Sequence, residues 1–206
     1  MTYKFLDKYD YLTPLSITSV GSNLVSDSLN LRRKVVKKNA QRFDFTITVS
    51  GGRNQSLNGD LLTHWMKYGM DSGFEIEVPQ PFYTNANFVS PLNAVTTVIP
   101  NTGVGAKAIE ITSTLPFSIP AGRFIRFGSH TKLYMLTESV ESEELIESYH
   151  TATINIEPGL VSISNAGTVL EINNVKAFVL NEADNAVITY DSGVIQSATL
   201  KFLEKL

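Results

Sequence analysis

In the stretch "RFDFTITVS", Phe43, Phe45, Ile47 and Val49 alternate with Arg42, Asp44, Thr46 and Thr48. A repeat of two puts apolar and polar side chains on opposite faces of an extended chain, so the spacing predicts a half-buried antiparallel strand. "FEIEV" repeats the pattern, with Phe74, Ile76 and Val78 directed inward and Glu75 and Glu77 outward. Between these two runs the period changes. Leu57, Leu61, Leu62, Trp65 and Met66 recur at helical spacing, Asn58 or Asp60 can cap the start, and Gly69 and Gly73 close the end. One helix joining the two strands is predicted.

From Pro79 onward "PQPFYTNANFVSPLNAV" has no sustained period and is rich in proline and asparagine, the texture of a linker or domain entry. A second strand-rich block follows: "AVTTVIP", a glycine-rich loop "NTGVGA", "KAIEITS", "RFIRFG", "KLYMLTE", an acidic turn "SVESEE" and "TATINIEPG". About five short strands with glycine-rich turns make a unit the size of a small barrel such as an OB-fold. Alternation resumes in "VKAFVL", "NAVITY" and "VIQSATLKF", with "LNEADNAV" placed as a hairpin turn between the first two. These last strands need partners, and the first domain supplies them. The predicted fold class is therefore mainly β: an antiparallel sandwich or barrel-like domain with one helix, formed by residues 1–85 and 170–206, with a small OB-like barrel inserted at residues 88–168. Proline-rich loops at sheet ends tolerate such an insertion.

The chain has 206 residues, enough for one full domain or two small ones, and 43% hydrophobic with 18% charged residues is the balance of a folded chain. A net charge of −3 and a pI near 5.6 argue against a protein whose main task is coating DNA. There is no cysteine, hence no disulfide, thiolate nucleophile or cysteine zinc site. Charges interrupt every apolar run of "MTYKFLDKYDYLTPLS", so neither a secretory signal nor a membrane span is expected.

Catalytic motifs are missing. His64, His130 and His150 lack the i to i+4 spacing of a helical metal site, and GxSxG, Walker A and HExxH patterns do not occur. "NTGVGAKA" has the wrong spacing for a phosphate cradle. Glu75 with Glu77, and the run Glu141, Glu143, Glu144 and Glu147, would serve glycoside hydrolysis only if a cleft raised one pKa, and both sets read better as solvated faces. The expectation is a protein that is not an enzyme, with no catalytic residue, metal or other cofactor.

Two basic features remain. "RRKVVKK" carries Arg32, Arg33, Lys34, Lys37 and Lys38 just before the first strong strand. It reads either as an edge strand guarded by lysines or as an electrostatic contact with a partner or DNA. In "SIPAGRFIRFGSHTKLYMLTES" the aromatics Phe124, Phe127 and Tyr134 are interleaved with Arg123, Arg126, His130 and Lys132. A stacking platform for bases needs its aromatics on one face, whereas alternation puts Phe124 opposite Phe127, so a core hairpin is the better reading.

The order of segments, a basic strand, "RFDFTITVSGG", a helix with "LLTHWMKYG", "FEIEVPQPF", an insert containing "IPAGRFIRFGSHTKLYMLTES" and ending "INIEPGL", then a C-terminal hairpin, resembles the distal tail proteins of long-tailed bacteriophages. The resemblance implies a structural virion protein, assembled in the host cytoplasm. It would form a ring, a homohexamer, joining the tail tube protein to the tip hub or fibre proteins and the receptor-binding apparatus. Phage DNA would pass through the lumen, with no insertion into a membrane. The alternative is an oligonucleotide- or carbohydrate-binding β-barrel module. For a ring, Arg32, Arg33, Lys34, Lys37 and Lys38 facing Glu75 and Glu77 of a neighbouring copy would make a complementary joint.

Overall fold

A computed structural model describes residues 2–3, 15–27, 33–50, 63, 66–67, 73–78, 80, 95–97, 103–128, 130–144, 149–173, 175–182, 187–191 and 194–205. The chain is mainly β with antiparallel sheets, and it divides into two compact units. The first comprises Met1–Val35, Gln41–Glu77 and Lys176–Leu206, and the second Val36–Ala40 and Val78–Val175. Of the predicted helix, Thr63, Met66 and Lys67 are helical, and the remainder lies outside the described residues.

The first unit holds β1 (Thr2–Tyr3), β2 (Leu15–Asp27), β3 (Arg33–Ser50, apart from Val36–Ala40, which group with the second unit), β4 (Phe74–Glu77), β14 (Lys176–Asn181), β15 (Val187–Asp191) and β16 (Val194–Glu204). Their order in one sheet is β1-β4-β14-β16-β3-β2, with β15 also on β16. Alternation in the sequence becomes alternation in burial: Phe43, Phe45 and Ile47 of β3 are buried, and in register with them Leu200 and Phe202 of β16 are buried too. Phe202 meets Phe74 edge to face with centroids 5.4 Å apart. Each such side chain removed from water contributes about 1.5–3 kcal/mol, so this face holds the sheet together.

"LNEADNAV" is not the predicted hairpin. Residues 183–186 lie outside the described set, but β14 and β15 on either side of them both run antiparallel to β16, meeting Phe202–Glu204 and Val194–Thr199 respectively. The chain therefore continues along one edge of β16. Its reversal falls later, between Asp191 and Val194, which are directly paired.

The second unit holds β5 (Val95–Thr97), β6 (Ala108–Ser113), β7 (Ser118–Ile119), β8 (Phe124–Phe127), β9 (Leu133–Leu136), β10 (Val140–Glu141), β11 (Glu143–Glu144), β12 (His150–Glu157) and β13 (Leu170–Glu171). The main path is β13-β8-β9-β12-β6-β5, and its two end strands, β13 and β5, lie against each other. β12 makes the path continuous by pairing Ile156 and Glu157 with β9 and its first six residues with β6. One cluster that includes Ile111, Ile125, Phe127, Tyr134, Ile154 and Leu170 fills the interior. The acidic stretch "SVESEE", expected as a turn, instead supplies two short strands: β10 pairs with β7 and β11 with β12. Glu141, opposite Ser118, remains exposed there, so charge and pairing coexist on a strand edge.

Leu170 and Ile172 are buried in this second core, and Glu171 accepts two hydrogen bonds from Arg126 of β8, from Nε at 2.8 Å and from Nη2 at 3.0 Å. The unit therefore runs on to Val175, where the sequence reading set its end at residue 168. Because among the described residues its core cluster draws on positions between Ala106 and Ile172, a fragment of residues 78–175 is expected to unfold in a single cooperative transition by circular dichroism in urea. A gradual, non-cooperative loss of signal would contradict an autonomous core.

Candidate functional site

The basic run lies on β3, whose part paired to β16 is Asp44–Ser50. Arg33, Lys34, Lys37 and Lys38 thus occupy the earlier portion of the strand, which borders β2 on the sheet's outer side. Arg32 lies outside the described residues. The sequence suggests either an edge strand or an electrostatic contact for this run, just before the strand that starts at Arg42; in the structure it is the first part of one continuous strand, and that strand lies between β16 and β2 and not at an edge. β2 carries little signal in its first part, where residues 16 and 18–21 are exposed.

Glu75 and Glu77 sit on β4, and β14 and β16 separate β4 from β3. Three strand spacings amount to about 14 Å, beyond the reach of an ion pair. On the sheet, the strand that carries the basic run and the strand that carries these glutamates are thus not neighbours.

The outward, solvated placement expected for the glutamates needs correction. Glu75 is partly covered, with its carboxylate 3.6 Å from Lys176 Nζ, and Glu77 is buried at 7% exposure. β4 is flanked on both sides, by β1 and by β14, and Lys176 lies directly opposite Glu77. Both acids are therefore drawn into the sheet's own polar contacts. On the same unit, burial raises the pKa of Asp44 against the opposing pull of Arg42, with nearby Glu182 adding to the rise.

The aromatic-basic stretch forms β8 and β9, which pair Phe124 with Met135 and Ile125 with Tyr134. Phe127 and Tyr134 are fully buried, with ring centroids 5.4 Å apart in a T-shaped contact. They pack the core and are not available to stack on bases. The cations are engaged as well: Arg123 donates to the Ile172 carbonyl and to Asn173, and Arg126 to Glu171. Gln80 lines the neighbouring edge, its amide exchanging hydrogen bonds of 3.1 and 3.0 Å with the backbone of Phe124. Core hairpin is what the structure shows here.

One concave surface was not anticipated as a unit. Glu110, Glu138, Glu141 and Glu143 line a groove of about 420 Å³ together with Thr151 and Thr153. All four carboxylates are exposed, and Asn155 donates to Glu138 at 3.1 Å. The signal for it is the pairing of β10 and β11 with neighbouring strands, which brings the acidic run beside Glu110 and is not legible from that run alone. Among the described residues no group of three or more His, Asp or Glu is placed to hold a metal ion. No described helix is long and apolar enough to cross a membrane. No protein-family model and no curated protein matches the chain.

Proposed function

We propose that this chain is a structural subunit of a phage tail tip, a distal tail protein that assembles into a ring between the tail tube and the receptor-binding apparatus. The observation that carries the reading is the segment order. A β unit is interrupted after Glu77 by a second β unit and resumes at Lys176 with C-terminal strands that complete the first sheet. The contact between β13 and β5 supports reading the inserted unit as a small closed barrel of the OB type. A homohexamer with a DNA-wide lumen, and neighbours in the tail tube and tip, follow from the same resemblance.

In the proposed joint the basic run on β3 is the part that each subunit offers a neighbour, with β2 forming the sheet margin beside it. Glu75 is the weaker half of the joint, since Lys176 already lies near it. Exposed ion pairs contribute only about 0–1 kcal/mol each, but a ring repeats the joint at every subunit. The double variant Arg33→Glu, Lys37→Glu is expected to shift the protein from ring to monomer in light-scattering mass measurements, more strongly at low salt than at high salt. If the variant keeps its ring but alters DNA binding, the run faces the lumen instead. For the proposal as a whole, the purified protein should have a mass several times that of one chain and appear as closed rings by negative-stain imaging. A strict monomer at every concentration and salt would count against it.

A further inference from the structure

His130 follows β8 and is buried, with 6% of its surface exposed. Its backbone N–H donates to the Phe127 carbonyl at 2.8 Å. The ring packs against Phe127 and Tyr134, with centroids 5.5 and 5.9 Å away. Nδ1 lies 2.9 Å from the Tyr134 hydroxyl, and that same oxygen accepts the backbone N–H of Val161 at 3.3 Å. Nε2 makes no hydrogen bond of normal geometry among the described residues. A buried imidazole thus reaches the backbone of a distant segment through one phenol.

This chain of contacts suits a neutral ring. An amide N–H can only donate, so Val161 uses one lone pair of the Tyr134 oxygen. In the neutral ring with its proton on Nε2, Nδ1 accepts the hydroxyl proton. A proton added there turns acceptor into donor, forces the phenol to redirect its own proton, and places a charge among apolar side chains.

The segment at the far end is anchored on both sides, and Ser164 within it is buried. Leu160 is fixed by backbone hydrogen bonds to Gly105 and Ala106, and Val169 by one from Gly128. Between these anchors, residues 161–168 contain no charged side chain, and Val161 and Ile163 stand exposed. The bond from Val161 to Tyr134 ties this stretch to β9.

We propose that His130 and Tyr134 form a pH-sensitive latch on residues 161–168, closed while the imidazole is neutral and released when it is protonated. Around the ring, β8 contributes Phe127 and β9 contributes Tyr134, the titratable group in direct contact. Arg126 alternates to the other side of β8 and is held by Glu171. Lys132 is buried two positions further along, and no charged side chain figures among the causes that set the His130 pKa. Burial lowers that pKa from its ordinary value near 6.5, and the Ile163 backbone offsets part of the effect. The closed state therefore binds fewer protons than the open one. Closure is fully stable above about pH 6.5 and weakens as the pH falls from there towards the closed-state pKa.

Hydrogen exchange of the Val161 amide in the full chain, corrected for the intrinsic pH dependence of exchange, tests the latch. Between pH 7.5 and 5.0, protection should fall by up to about tenfold for each pH unit that separates the open and closed pKa values. In His130→Gln this pH dependence should be absent, and in His150→Gln it should persist. An equal loss in wild type and His130→Gln, or no loss in wild type, overturns the proposal. Should His130→Gln fail to fold, an NMR titration of the wild-type histidines decides. A His130 midpoint below 6.5, shared by the signals of residues 161–168, supports the latch, and a midpoint at or above 6.5, or one that those signals do not follow, refutes it.

Discussion

Ile125→Asp is expected to abolish the cooperative fold of the second unit. Ile125 is fully buried on β8, opposite Tyr134 of β9 and inside the cluster that includes Phe127, Ile154 and Leu170. Replacing it removes the packing of a large aliphatic side chain and puts a carboxyl into an apolar cluster, while Arg123 and Arg126 keep partners of their own. The carboxyl must either ionise in an apolar site or be neutralised through a raised pKa, and both routes are unfavourable. Truncation and polar burial together cost about 4 kcal/mol or more, against about 5–15 kcal/mol for the whole stability of a domain. Urea unfolding of the variant should show the transition of this unit lost or moved to much lower denaturant. A soluble variant with the wild-type midpoint would place position 125 on the surface.

Gly73→Ala is expected to have the second largest effect. Gly73 precedes β4 with φ of +70°, a left-handed conformation that costs an alanine about 1–2 kcal/mol. There is also no room. A Cβ built there would lie 2.7 Å from the Val179 carbonyl oxygen and 3.0 Å from both Leu180 and Phe178 of the neighbouring strand. A backbone oxygen in a ladder cannot step aside without shifting β14, so strain and collision add to about 3 kcal/mol. Gly167 provides the control, because its φ is +80° but nothing lies within 4 Å of a Cβ there. Gly167→Ala should show the conformational cost alone. Thermal unfolding checks both, and equal small shifts for the two substitutions would contradict the close approach of Gly73 to β14.

What could be read from the sequence was whatever a single face imposes. Phe43, Phe45 and Ile47 alternate because one side of β3 is buried, and Arg123, Ile125 and Phe127 alternate for the same reason on β8. "LYML" was readable as a strand apolar on both faces, and Leu133, Tyr134 and Leu136 are indeed buried. The failures share a different cause: they depend on which strand comes to lie alongside. Glu77 looks solvent-facing by alternation, yet β1 and β14 flank its strand. "LNEADNAV" carries hairpin residues, but the partner of both flanking strands is β16, encoded only further along the chain. The acidic groove assembles from Glu110, Glu138, Glu141 and Glu143, contributed by separate stretches through pairing that no local pattern announces. The His130 to Val161 connection spans two segments in the same way.

The ring proposal makes one demand that no fold property can satisfy by itself, namely a place in a particle. Antibody or gold labelling of this chain in intact virions, viewed by electron microscopy, tests it most directly. The account predicts label confined to the end of the tail, at the junction of tube and tip, with subunits arranged in one closed ring. Label on the capsid or along the tube, or particles that lack the chain altogether, would contradict it.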